Sequence, residues 1–176
     1  MNYRLKKVAV LGSGVMGSGI ACHLANVGME VMMLDIVTPN LEGDQSKDKF
    51  QRNKLVNTAL QKIIKSKPAP LYQKAFASRI QTGNFEDDFE KISEADWIIE
   101  VVVENLKIKK QIFEKVDQYR KQGSLVSSNT SSIPIHLLAE GRSADFKSCF
   151  CGTHFFKFVR YLRLLEIIPI TETQTK

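Results

Sequence analysis

Val8-Ala9-Val10-Leu11 runs without a break into Gly12-Ser13-Gly14-Val15-Met16-Gly17, and this junction narrows the possible folds more than any other stretch of the chain. The apolar quartet has the composition of a short buried strand. Met16, Ile20, Leu24 and Val27, spaced by three and four, then trace one face of a helix. Glycines at three fixed places between a strand and a helix have a specific physical use. Gly12 permits a tight turn, Gly14 leaves the backbone open to a pyrophosphate, and Gly17 lets the helix lie close on the strand. Unpaired N–H groups at the start of the helix, with the helix dipole, hold the phosphates. Glu30–Ile36 is the next apolar strand, and Gly28 stops the helix before it, so one βαβ unit closes in about 30 residues. Asp35 ends that strand 21 residues after Gly14. A carboxylate there accepts hydrogen bonds from ribose hydroxyls and repels a 2′-phosphate. Ile36-Val37 brings no arginine to receive that phosphate, so the site is expected to take NAD rather than NADP.

The remaining chain alternates between strand-like and helix-like patterns. Val37–Asp48 reads as a loop, Phe50–Lys65 as a helix ended by Pro68 and Pro70, and Leu71–Ala77 as a second, shorter helix. Arg79–Thr82 is a brief strand, Ala95–Val103 a strong one, Leu106–Tyr119 an amphipathic helix and Ser124–Ser128 a further strand. Ile135–Ala139 is a short helix, and Ser148–Phe156 and Tyr161–Ile168 are extended. This order predicts an α/β fold, a doubly wound, mostly parallel sheet covered on both faces. Residues 44–79 stand out from it as an inserted helical hairpin beside the ligand. With 176 residues, the chain is expected to form one domain, 1–176.

Charge is unevenly placed. Between Lys47 and Arg79 there are nine Lys/Arg against one acid, Asp48. Such a stretch either meets an anionic partner or is a solvated helix face. Few aromatics interleave with it, which argues against nucleic acid. No apolar run reaches the length of a membrane span, so no membrane insertion is expected. The start, Met-Asn-Tyr-Arg-Leu-Lys-Lys, leads straight into the first strand and leaves no room for a signal or transit peptide. Three cysteines do not make a disulfide framework, and a cytoplasmic setting follows.

Late in the chain His154 sits between aromatics in Gly152-Thr153-His154-Phe155-Phe156, and Glu166 follows in Leu164-Leu165-Glu166-Ile167-Ile168. A carboxylate in so apolar a run needs a partner if buried, and an imidazole supplies one. The two would act as general base and orienter, with the carboxylate favouring the imidazolium. The spacing equally suits a satisfied core histidine and a solvent-facing glutamate. Ser127-Ser128-Asn129-Thr130-Ser131-Ser132 closes a strand at the end that faces the ligand crevice, and reads either as substrate-oxygen binding or as turn chemistry. Cys149-x-Cys151-x-x-His154 lacks a second ligand pair, so no metal site is expected. Cys22 and Trp97 read as core, and His23 and His136 as surface or packing residues.

Four ordered segments together resemble the 3-hydroxyacyl-CoA dehydrogenase family. They are V-A-V-L-G-S-G-V-M-G-S-G-I-A within Val8–Ile36, A-D-W-I-I-E-V-V-V-E-N-L-K-I-K-K at Ala95–Lys110, S-N-T-S-S at Ser128–Ser132, and Gly152–Phe156 followed by Leu162–Ile168. The likeness is strongest to bacterial fatty-acid-oxidation proteins in which this domain can precede an enoyl-CoA hydratase domain. It implies a Rossmann-like NAD-binding domain with a helical hairpin inserted after the second strand, and reversible NAD-dependent oxidation of L-3-hydroxyacyl-CoA to 3-ketoacyl-CoA. Residue by residue, it implies that His154 is the catalytic histidine, Glu166 its partner and Ser131 the serine that binds the substrate oxygen. It also implies that Glu104 and Lys109 approach the cofactor held by Gly12, Gly14, Val15, Met16, Gly17 and Asp35, with Asn129 at the nicotinamide side. Lys62, Lys65 or Lys67 would meet the phosphates of coenzyme A, and a homodimer is a further family expectation.

Two departures stand against that pattern. Lys157-Phe158 replaces the Asn-Pro that usually follows the family's H-F-F, and the family's C-terminal helical domain has no counterpart before Lys176. They leave an alternative: a non-catalytic NAD-binding module or truncated fragment without turnover. A 6-phosphogluconate type of dehydrogenase shares the glycine pattern but lacks the H-F-F…L-L-E pairing.

Overall fold

The computed structural model describes residues 5–174. Its centre is a seven-stranded sheet in the order β3-β2-β1-β4-β5-β6-β7. The strands are β1 (Lys7–Leu11), β2 (Glu30–Asp35), β3 (Ile80–Asn84), β4 (Trp97–Glu100), β5 (Leu125–Ser128), β6 (Phe150–Phe155) and β7 (Leu165–Pro169). Strands β1 to β6 are parallel, and β7 runs antiparallel to β6 at the edge. This is the expected Rossmann-like, mostly parallel sheet. The strand order reverses between β1 and β4, and a ligand crevice opens beyond the carboxyl ends of the strands at such a point.

Alternation of side chains along each strand sorts the core into two layers. Val8, Val10, Val31, Met33, Trp97 and Ile99 face helices α1 (Val15–Asn26) and α3 (Lys54–Ile64). Ala9, Leu11, Leu34, Ile98 and Val126 face the other way. There they meet α4 (Leu106–Tyr119), α5 (Ile135–Ala139) and α6 (Ala144–Ser148), where Phe113, Phe146 and Phe150 pack with ring centroids 5.1–5.6 Å apart. Cys22 is fully buried and Trp97 lies in the core, as expected.

The insertion is only half the expected hairpin. A short helix α2 (Lys49–Arg52) leads into α3, but the return arm is a 3-10 segment, Lys74–Arg79, rather than a helix over Leu71–Ala77. Arg79 ties this arm to α1 and Arg160 holds Leu71 ahead of it, so contacts with the rest of the fold set its tighter turn. Two arginines of the basic stretch are structural ties. Arg52 pairs with Glu86 and Asp87, both at 2.7 Å, and the Arg79 guanidinium donates to Ala25 O at 2.6 Å. Lys49, Lys54, Lys62, Lys65, Lys67 and Lys74 are exposed. Extended chain after Tyr161 begins only at Leu165, because Tyr161 and Leu162 fold back on Phe158 O. Arg160 then latches this turn to the insertion, donating to Ala69 O at 2.6 Å and Leu71 O at 2.9 Å. Among the described residues no helix is long and apolar enough to cross a membrane.

Candidate active site

The glycine turn is built as its spacing requires. Gly12 has φ 113°, and a Cβ there would stand 2.6 Å from the Val101 carbonyl oxygen. A Cβ on Gly17 would stand 1.9 Å from Gly12 O, so any side chain at either place forces the turn open. Gly14 is exposed with nothing near its missing Cβ. It caps α1 without any side-chain bond, which leaves the helix N-terminus open to an anion. Val15 is exposed, while Met16 turns partly into the core. Asp35 stands beside the turn, and its Oδ2 accepts both the N–H and the hydroxyl of Ser13, at 2.6 and 2.5 Å. Cradle, open helix end and strand-end acid together fit a dinucleotide.

Beyond β4 lies a charged network that sequence reasoning placed only in part. Glu100, fully buried, accepts from Lys109 Nζ at 2.7 Å, Ser128 Oγ at 2.5 Å and the Val102 N–H at 2.7 Å. Burial pushes the Glu100 carboxyl up from the ordinary glutamate range, against the opposing pull of Lys109 and Ser128. Lys109 also reaches Glu104 Oε2 at 3.2 Å. With 1% of its side chain exposed, Lys109 is buried between Glu100 and Glu104. Glu104 remains at the surface, holding the hydroxyls of Thr130 and Ser132. Burial alone would raise its pKa, but those hydroxyls and the Lys109 charge outweigh it and hold the group at about 2. Glu100 went unmarked in the sequence, although it carries the same signal as Glu166, a carboxylate inside an apolar run.

His154 and Glu166 face each other across the β6–β7 ladder, Nδ1 to Oε2 at 2.7 Å. The Phe156 ring lies 4.5 Å from the imidazole, centroid to centroid. Asn129 Oδ1 accepts the Phe155 N–H at 2.8 Å, which joins the loop after β5 to the strand bearing His154. Ser131 is exposed on that loop. Lys62 and Lys67 line a cavity of about 480 Å³ with Ser13, Gly14, Phe158 and Arg160, whereas Lys65 is exposed outside that wall. His23 is half-buried and meets the edge of Phe155, and His136 is exposed.

Fold and site together define an α/β dinucleotide-binding domain with a histidine–carboxylate pair near its crevice. The chain belongs to the family of 3-hydroxyacyl-CoA dehydrogenase NAD-binding domains, whose model matches residues 7–176, and NAD is the cofactor of that family. A probable 3-hydroxyacyl-CoA dehydrogenase of Bacillus subtilis (strain 168) is 58% identical over 179 aligned residues, covering 98% of this chain and 23% of the relative. One of Deinococcus radiodurans is 44% identical, covering 97% of this chain and 47% of its own. A putative fatty acid oxidation complex trifunctional enzyme of Rickettsia felis is 44% identical over 96% of this chain and 22% of its own. The (S)-3-hydroxybutyryl-CoA dehydrogenase of Ralstonia eutropha superposes with a TM-score of 0.71 at 30% identity, over 97% of this chain and 56% of its own. The chain therefore spans 22% to 47% of the length of these curated relatives.

Proposed function

We propose that this chain is the NAD-binding domain portion of an L-3-hydroxyacyl-CoA dehydrogenase of fatty-acid β-oxidation, with His154 as its general base. The observation that carries the reading is the His154–Glu166 pair at 2.7 Å, on strands next to the loop that bears Asn129 and Ser131. Glu166 accepts the Nδ1–H, which fixes the tautomer and leaves Nε2 free to take the proton of a 3-hydroxyl. As the proton arrives, the carboxylate stabilises the imidazolium. Ser131, exposed at the same strand ends, would hydrogen-bond the substrate oxygen. When bound, NAD supplies the hydride acceptor. Gly12, Gly14, Val15, Met16 and Gly17 would hold its pyrophosphate, Asp35 the adenosine ribose, and Glu104 and Asn129 would border its nicotinamide side. Lys109 acts through Glu104. Lys62 and Lys67 would receive the phosphates of coenzyme A, with Lys65 farther out on the same helical arm.

The wider assembly is part of the same proposal: residues 1–176 as one domain, joined in a longer protein to a helical domain or an enoyl-CoA hydratase domain, or paired as a homodimer, in the cytoplasm. A second reading, an NAD-binding module without turnover, draws on Phe158, whose φ of 66° shapes the turn between the two strands of the pair. Acetoacetyl-CoA-dependent NADH oxidation separates the readings. Turnover that His154→Ala abolishes supports the enzyme; NADH binding without turnover supports the module.

A further inference from the structure

The carboxylate at the end of β2 is already largely engaged within the protein. Asp35 Oδ2 accepts the Ser13 N–H and the Ser13 hydroxyl, and Oδ1 accepts the Ile36 N–H at 2.7 Å. A carboxylate offers about four acceptor positions, so one is left. A ribose diol presents two hydroxyls. Both cannot donate to Asp35 while the Ser13 hydroxyl stays where it is.

The three donors are not equivalent. Two are backbone N–H groups, fixed with the turn and the strand end. The third turns on a single side-chain bond. Ser13 is 5% exposed, and its carbonyl accepts the Ser18 hydroxyl at 2.7 Å, so its backbone is pinned and only the hydroxyl can yield.

We infer that Ser13 is a specificity-determining residue for the adenosine end of the dinucleotide: its hydroxyl competes with the ribose diol for Oδ2 of Asp35 and weakens binding. The inference rests on the reading of Gly12–Gly17 and Asp35 as the dinucleotide site. Removing the hydroxyl leaves both backbone donors in place. The carboxylate then keeps its orientation and gains a free acceptor. Tighter binding is a direction that damage to the fold does not produce.

The test measures dissociation constants for NADH with the wild-type chain, Ser13→Ala and Ser13→Thr, read as energy transfer from Trp97, the sole tryptophan, to the nicotinamide. The series is repeated with a NADH analogue lacking the adenosine 2′-hydroxyl, which asks Asp35 for one acceptor only. Ser13→Ala is expected to bind NADH about fivefold tighter, the factor that one net hydrogen bond represents. Ser13→Thr, which keeps a hydroxyl, is expected to show no gain, and the deoxy analogue no gain with either variant. Unchanged or weaker NADH binding by Ser13→Ala, beside measurable wild-type binding, overturns the competition and leaves the dinucleotide site standing. An equal gain with the deoxy analogue overturns it too, because the diol is then not the cause. Absence of NADH binding by the wild type overturns the site and the inference together. If Ser13→Ala does not fold, Ser13→Gly frees the same acceptor and must show the same gain.

Discussion

Glu166 stands directly opposite His154 in the antiparallel β6–β7 ladder, with Oε2 2.7 Å from Nδ1. Side chains directly across two strands share a face, so register alone brings the pair together. A slip of one residue would set Leu165 or Ile167 against the imidazole instead. Glu166→Gln keeps the shape but removes the charge that steadies an imidazolium. Turnover in acetoacetyl-CoA reduction is expected to fall by about 100-fold, with NADH affinity little changed. A loss confined to KM would speak against the base-and-orienter assignment.

Asp35→Ala removes the acid at the end of β2 that we propose holds the adenosine ribose. NADH affinity is expected to fall about tenfold or more, since a hydrogen bond to a charged group is lost. Affinity for NADPH should change much less, because repulsion of its 2′-phosphate disappears along with the ribose contact. Titrations of both nucleotides measure the ratio, and an unchanged ratio would count against the ribose role.

What the sequence made legible was local. The glycine turn could be read because three backbone demands recur at fixed spacing, and Asp35 followed from strand length. The His154–Glu166 pairing could be read as an option because twelve residues suit two strands and a connection, but only the register decides it. The rest depends on partners distant in sequence. Lys109 looks like a surface cation in an amphipathic helix, and nothing near it foretells burial against Glu100 at the end of a strand. Ser13 occupies a variable place in the glycine motif, so its bond to a residue 22 positions later left no pattern. The 3-10 arm after Pro70 is set by how the chain meets α1 and Arg160, which periodicity does not encode.

Lys109 is the cation that makes a buried Glu100 tolerable. Lys109→Met leaves that carboxylate unpaired beneath the crevice and is expected to destabilise the fold by roughly 3–5 kcal/mol. Adding Glu100→Leu removes the stranded charge, so the double variant should be more stable than Lys109→Met alone. Urea unfolding followed by Trp97 fluorescence measures both. Equal instability of the single and double variants would mean that the pair is not the reason.

Glu104 gives the domain an acid limb. Its folded-state pKa lies at about 2, below the ordinary glutamate value of 4.5, so its tie to Thr130, Ser132 and Lys109 contributes above pH 4.5. The contribution is lost as pH falls from 4.5 towards 2. With 40% of the side chain exposed, solvent screening limits it to about 1 kcal/mol. Melting temperatures recorded across that range should fall more steeply for the wild type than for Glu104→Gln. Parallel curves would remove Glu104 from the account.

Phe158 holds a left-handed backbone, φ 66°, at the start of the turn between the two strands of the His154–Glu166 pair. For an L-residue with a Cβ that conformation costs about 1–2 kcal/mol, and the residue is 55% exposed, so little burial offsets it. Phe158→Gly should therefore raise the melting temperature by about 2–4 °C. Phe158→Pro has the opposite sign. The proline ring fixes φ near −65°, so it cannot sit in this turn unless the Phe158 carbonyl gives up the N–H groups of Tyr161 and Leu162. Those bonds hold the turn in which Arg160 reaches Ala69 and Leu71, so the variant should also loosen the insertion. Hydrogen exchange at Tyr161, Leu162 and the α3 C-terminus would show it, and protection equal to the wild type's would mean that the latch does not depend on this turn.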